Sequence, residues 1–189
     1  MKLLKALMLL LAVTVLFACS KDDDTPPDPP IEEATGIEGE WQLEEYDYSG
    51  SSTVSHEDFT YTSSYAAVAK NLNVKLTIKT DPNTWSTEGN YTLELTTTRD
   101  GETSTREIVV NDLANAGSFV LNEDQFHPEN QNPGFPEPGE INPMDITSFT
   151  IEELTSSRMV LSFEETHTTT ENGLQGETTV KGTQVYKRL

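Results

Sequence analysis

The stretch Asn73-Val74-Lys75-Leu76-Thr77-Ile78-Lys79 decides how the rest of the chain reads. Val74, Leu76 and Ile78 alternate with Lys75, Thr77 and Lys79, which is the two-residue period of a strand with one buried and one wet face. A helix would carry neighbouring members of that apolar set to opposite sides. Asp81-Pro82-Asn83 ends the run. The same alternation returns in Asn90-Tyr91-Thr92-Leu93-Glu94-Leu95-Thr96, and Arg99-Asp100-Gly101-Glu102 supplies the Asp-Gly dipeptide of a tight hairpin. A return strand runs from Ser104 to Val110, and Gly117 to Asn122 reads as another short strand.

Toward the N-terminus, Glu40-Trp41-Gln42-Leu43-Glu44-Glu45-Tyr46 predicts a strand with Trp41 and Leu43 on one face and charged residues on the other. Between Tyr48 and Tyr65 the Ser/Thr/Tyr-rich chain predicts one β segment around Phe59-Thr60-Tyr61, and Tyr65 to Asn71 reads as a helical turn. Residues 123 to 145 carry Pro128, Pro133, Pro136, Pro138 and Pro143, so backbone pairing is blocked repeatedly and a long surface loop is expected. Strands resume from Ile146 to Leu154, Arg158 to Thr168 and Glu177 to Lys187, with a turn at Asn172-Gly173. Met159, Leu161 and Phe163 share one buried face. The fold class is therefore all-β: an antiparallel meander of about eight strands, forming a barrel or a half-open β sandwich.

Before this domain lies a different kind of sequence. Lys2 and Lys5 precede an apolar run from Ala6 to Ala18. That run is too short to span a bilayer but has the make-up of an export signal. Leu16-Phe17-Ala18-Cys19 resembles the bacterial lipobox, which implies cleavage after Ala18 and lipid attachment to the Cys19 thiol. Ser20-Lys21-Asp22-Asp23-Asp24 resembles the surface-export signal of Bacteroidota lipoproteins, which implies an outer-membrane protein facing outward, with the periplasmic face as the alternative. Thr25 to Thr35 is rich in proline, which favours an extended, polyproline-like spacer. The expected organisation is a signal peptide over 1–18, a lipidated tether over 19–35 and one β domain over 36–189.

The 189 residues carry a net charge of −20. Removal of residues 1–18 takes away Lys2 and Lys5 and no acid, leaving −22. Such a surface repels nucleic-acid phosphates, so nucleic acid is excluded as a partner. Cys19 is the only cysteine, and once acylated it leaves no thiol for disulfides, zinc, iron–sulfur clusters or catalysis.

Gly39-Glu40-Trp41-Gln42-Leu43, Gly89-Asn90-Tyr91-Thr92-Leu93 and the block from Phe149 to Leu161 resemble the lipocalin-like domains of Bacteroidota lipoproteins. The resemblance covers roughly Gly36 to Leu189 and implies a small antiparallel barrel or half-open sandwich. It transfers no catalytic residue. The segment near residues 49 to 65 and the loop near 127 to 143 are longer than the pattern leads one to expect.

An eight-stranded barrel either fills with side chains or holds one small ligand. The candidate cavity residues are Trp41, Leu43, Tyr91, Leu93, Phe119, Phe149, Leu161 and Phe163, and the bulk of Trp41, Tyr91, Phe119, Phe149 and Phe163 points to a small or filled interior. Glu123, Asp124, His127, Glu129, Glu137, Glu140 and Asp145 offer oxygen ligands suited to calcium, but without the spacing of a calcium loop. His56-Glu57-Asp58, His127 and His167 match no nucleophile or zinc motif. The sequence thus predicts no enzyme, no metal and no cofactor. It predicts a membrane-anchored protein binding a small apolar or amphipathic molecule or a glycan, or alternatively a structural module that contacts another envelope protein.

Overall fold

The computed structural model describes residues 36–57, 59–129, 146–171 and 173–189. The expected signal peptide, Cys19 and its flanking Ala18 and Ser20 to Asp24, the tether, and most of the 123–145 segment lie outside the described residues. Eight strands are described: β1 Gly39–His56, β2 Phe59–Thr80, β3 Asn83–Arg99, β4 Glu102–Asn122, β5 Gln125–Glu129, β6 Phe149–Leu154, β7 Arg158–Glu171 and β8 Leu174–Arg188. Each pairs antiparallel with the next, and β8 returns to pair with β1, so the sheet closes into a ring.

Several expectations are corrected. Tyr65 to Asn71 is not a helical turn but the middle of β2, registered against Lys70↔Thr92 and Tyr65↔Thr97 of β3. The alternation of Tyr65, Ala67 and Ala69 with polar neighbours is a strand period, and tertiary pairing overrides the helix propensity of the alanines. The return strand from Ser104 and the short strand at Gly117 are one element, β4. The expected long loop contains β5, in which Phe126 pairs with both Leu121 and Phe149. Pro128 is tolerated in β5 because it lies beyond Gln125 and Phe126, the residues that pair with β6, where the strand has one neighbour rather than two. The strand expected from Ile146 begins at Phe149.

The alternation breaks near mid-barrel, where the register shifts between Leu43 and Glu45, Lys70 and Asn73, and Gly89 and Tyr91. Asn71 and Asp112 take positive φ values of 53° at this level, as bulge residues do. Each extra residue flips the facing of the strand beyond it. In β1 the buried set passes from Trp41 and Leu43 to Tyr46 and Tyr48, and in β2 from Tyr65 and Ala67 to Val74, Leu76 and Ile78. A single core results, built from inward side chains of every strand together with Ile37 and Ile146.

The outward face is mostly polar, with Val68, Val109 and Val120 among the apolar side chains exposed on it. Lys75 bridges Glu40 at 3.4 Å and Glu88 at 2.9 Å, and Thr96 and Thr98 pair with Thr105 and Thr103 at 3.1 and 3.0 Å. A membrane-spanning barrel reverses this pattern, with apolar residues outward.

Closure is uneven along the ring. β5 and β6 share only the pairs Gln125↔Thr150 and Phe126↔Phe149. Among the described residues, β4 above Ser118 pairs only with β3, and β7 beyond Ser162 pairs only with β8. The barrel is complete near Trp41 and slotted toward the hairpin end, where the β1–β2, β3–β4 and β7–β8 connections lie.

Candidate functional site

A cavity of about 120 Å³ lies inside the ring at the level of the bulges. Leu43 and Tyr46 of β1, Val74 and Leu76 of β2, and Trp85 and Tyr91 of β3 form one side. Leu161 of β7 and Tyr186 of β8 form the other, while Leu113 and Asn115, Phe126 and Pro128, and Ile146 and Phe149 bound it toward the slot. Trp85 donates its ring N–H to the Ser118 carbonyl at 3.0 Å, so the indole presents a satisfied apolar surface. An enclosed apolar space of about 150 Å³ accepts benzene, which sets the scale of a guest here.

Tyrosines supply most of the site's polar chemistry. Tyr46, Tyr91 and Tyr186 are each at most 6% exposed. Burial pushes Tyr91 up to about 12 and raises Tyr46 and Tyr186 well above the ordinary phenol value, because the phenolate would lose its hydration. Neighbouring hydroxyls add to the rise at Tyr46 and Tyr186. Tyr46 and Tyr91 meet edge to face with ring centroids 6.2 Å apart. Tyr186 donates to Gln184 Oε1 at 2.9 Å, and Tyr65 donates to the Thr179 carbonyl at 2.9 Å. Among the described residues, no such partner serves the hydroxyls of Tyr46 and Tyr91, and neither hydroxyl is closed off from open space. Both residues line the cavity.

The slot side is held by a strap ahead of β6. Ile146 is buried against the core, and Thr147 and Ser148 are tied to Glu165 of β7. Glu165 Oε1 accepts from Thr147 N at 2.5 Å, Thr147 Oγ1 at 3.1 Å and Ser148 N at 3.3 Å, while Oε2 meets His167 Nε2 at 2.8 Å. The carboxylate thus fixes the approach of the chain that presses Ile146 into the cavity wall.

The opposite end is sealed. Ile37, 3% exposed, folds inward, and its carbonyl accepts from Trp41 Nε1 at 3.0 Å. The Arg188 guanidinium lies 4.1 Å from the Trp41 ring and donates to the Glu38 and Gly36 carbonyls at 2.6 and 2.8 Å. Stacking and hydrogen bonding together bind the first and last strands.

Of the residues expected in a cavity, Leu43, Tyr91, Phe149 and Leu161 line it. Trp41, Leu93, Phe119 and Phe163 lie in the packed core, with Phe119 against Phe126 at 4.9 Å and Phe163 over Gly182. Sequence reasoning missed Tyr46 and Tyr186, which only the bulge and the closing strand bring inward. The calcium candidates do not converge among the described residues. Asp124 precedes β5 and Glu129 ends it, so about 3.3 Å per residue separates them along an extended strand. No group of three or more metal-ligating residues occurs among the described residues. His56 stacks on Phe59 at 5.7 Å, His127 pairs with Val120 in β5, and His167 meets Glu165.

No protein-family model and no curated protein matches the sequence. Among solved structures, the chain is similar to the crystal structure of Ail, the attachment invasion locus protein of Yersinia pestis, at 10% identity and a TM-score of 0.21. That match covers 79% of this chain and 99% of the other. A likeness this distant carries no argument about what this chain does.

Proposed function

We propose that this is a lipid-anchored protein of the cell envelope, displayed on the outer membrane, whose lipocalin-like β domain holds a small, largely apolar molecule. The observation that carries the reading is the cavity of about 120 Å³ inside a ring whose outer face is mostly polar. The lipobox-like Leu16-Phe17-Ala18-Cys19 and the acidic run after it support the anchor and its placement. The lining is mainly apolar, which favours a hydrophobic guest over a glycan. Nothing in the reading requires catalysis.

Two measurements test it. The full chain should partition with outer membranes and lose that partitioning as Cys19→Ser; unchanged membrane association would remove the anchor. Native mass spectrometry of the protein taken gently from cells should show a bound small molecule, and a ligand-free mass would count against the cavity reading.

Among the described residues, the stretch of β4 that pairs with β3 alone favours a second reading, an interaction module. From Glu107 to Gly117 it offers backbone donors and acceptors on one side, among the described residues, to which a partner's extended segment can add. Cross-linking in intact cells that captured one envelope protein through β4 would support this alternative.

A further inference from the structure

We propose that the cavity takes a compact, neutral ligand, an apolar ring or short branched chain bearing a single hydroxyl or carbonyl, and that the hydroxyls of Tyr46 and Tyr91 make its polar contacts. This rests on the cavity reading and names the class of guest.

Three observations carry it. The space of about 120 Å³ inside the ring matches the bulk of a six-membered ring or slightly less. Tyr46 and Tyr91 line that space, and among the described residues their hydroxyls have no hydrogen-bond partner, whereas the neighbouring Tyr186 donates to Gln184. A guest that donates to or accepts from either hydroxyl makes a hydrogen bond that an apolar one of the same shape cannot. The lining also lacks an opposing charge: Thr87, Asn115 and Gln184 are its polar members besides the tyrosines, and all are neutral. A carboxylate or phosphate would shed its hydration with no cation to replace it. The burial that holds the tyrosines protonated disfavours such an anion equally. A sugar, with a hydroxyl on nearly every carbon, meets too few partners.

The experiment uses the full chain carrying Cys19→Ser, so that no detergent competes. Phenol and toluene, equal in shape and different in one hydroxyl, are titrated by ligand-observed NMR at neutral pH, with benzoate as the anionic competitor. Phenol should bind, benzoate should fail to displace it, and Y46F/Y91F should lower the phenol-to-toluene preference roughly tenfold. Tyr186→Phe, which removes a hydroxyl already engaged, should leave that preference within about twofold. Both variants keep the ring, and thermal melting confirms that they fold. If both probes bind and Y46F/Y91F leaves their ratio unchanged, the tyrosine contacts are refuted while the cavity reading stands. Displacement of phenol by benzoate overturns the neutrality of the guest. Binding of neither probe overturns this inference and the cavity reading together.

Discussion

Tyr46, Tyr48, Tyr91 and Tyr186 resist ionisation because the phenolate cannot be hydrated in the core. Below the ordinary value of 10.0 both folded and unfolded chains keep these protons, and stability does not depend on them. Above it the unfolded chain releases protons that the folded chain retains, so stability falls as pH rises from 10.0 toward about 12, where Tyr91 ionises. Tyrosinate absorbance should therefore rise late and together with loss of β structure; an early, reversible ionisation of all six tyrosines would contradict the burial. Gly50 makes a second residue-scale prediction. A Cβ there would stand 2.0 Å from the Thr179 carbonyl oxygen and 2.5 Å from Tyr65 Oη. Gly50→Ala should cost about 1–3 kcal/mol in denaturant unfolding, because backbone must move and the Tyr65 hydrogen bond with it. At this scale the sequence was only half legible. Strict alternation from Trp41 and Leu43 puts Tyr46 on the wet face, and the bulge before Glu45 reverses it. Nothing in Glu44-Glu45-Tyr46 announces a bulge, since its cause is the pairing of β1 with both β2 and β8.

The strap and its latch show what a single carboxylate does for an element. Glu165 takes three hydrogen bonds from Thr147 and Ser148 and one contact from His167, so its loss frees the chain entering β6. Glu165→Ala should speed hydrogen exchange at Thr147 and Ser148 about tenfold or more, while amides of β2 and β3 exchange as before. Unchanged exchange at the strap would show that Ile146 alone holds it. The elements with continuous alternation, such as Val74 to Ile78 and Met159 to Phe163, were readable because one face is buried throughout. Asp100-Gly101 was readable as well: both residues take positive φ, at 50° and 83°, as the tight hairpin turn demands. β5 was not, because five residues containing a proline carry no period and are held by Phe126 against Phe119 and Phe149. The segment around Phe59-Thr60-Tyr61 was readable as β and lies in β2, but the length of the polar outer reaches of β1 and β2 was illegible for a related reason. There the strands run on through cross-strand hydroxyl pairs such as Thr53 with Thr62 at 3.1 Å, rather than through buried apolar faces.

For the whole molecule, the meander order predicted the ring, yet sequence did not disclose how unevenly it closes. Trp41 is fully buried at the sealed end, under Arg188. Trp41→Ala should cost about 3–5 kcal/mol in denaturant unfolding, by cavity formation and loss of the stack. A cost under about 1 kcal/mol would mean that this end is not what holds the ring together.

The pairing of β1 with β8 also fixes an order of events. Trp41 meets Arg188, and the Leu189 amide donates to the Glu40 carbonyl at 2.9 Å, so residues about 150 positions apart must find one another before the ring exists. A chain emerging N-terminus first from a ribosome or an export pore can zip β1 to β2 and β2 to β3 as they appear. It cannot bury Trp41 until its last strand arrives. Until that strand is delivered the domain is an unclosed ribbon, and its cavity is the last part of it to form.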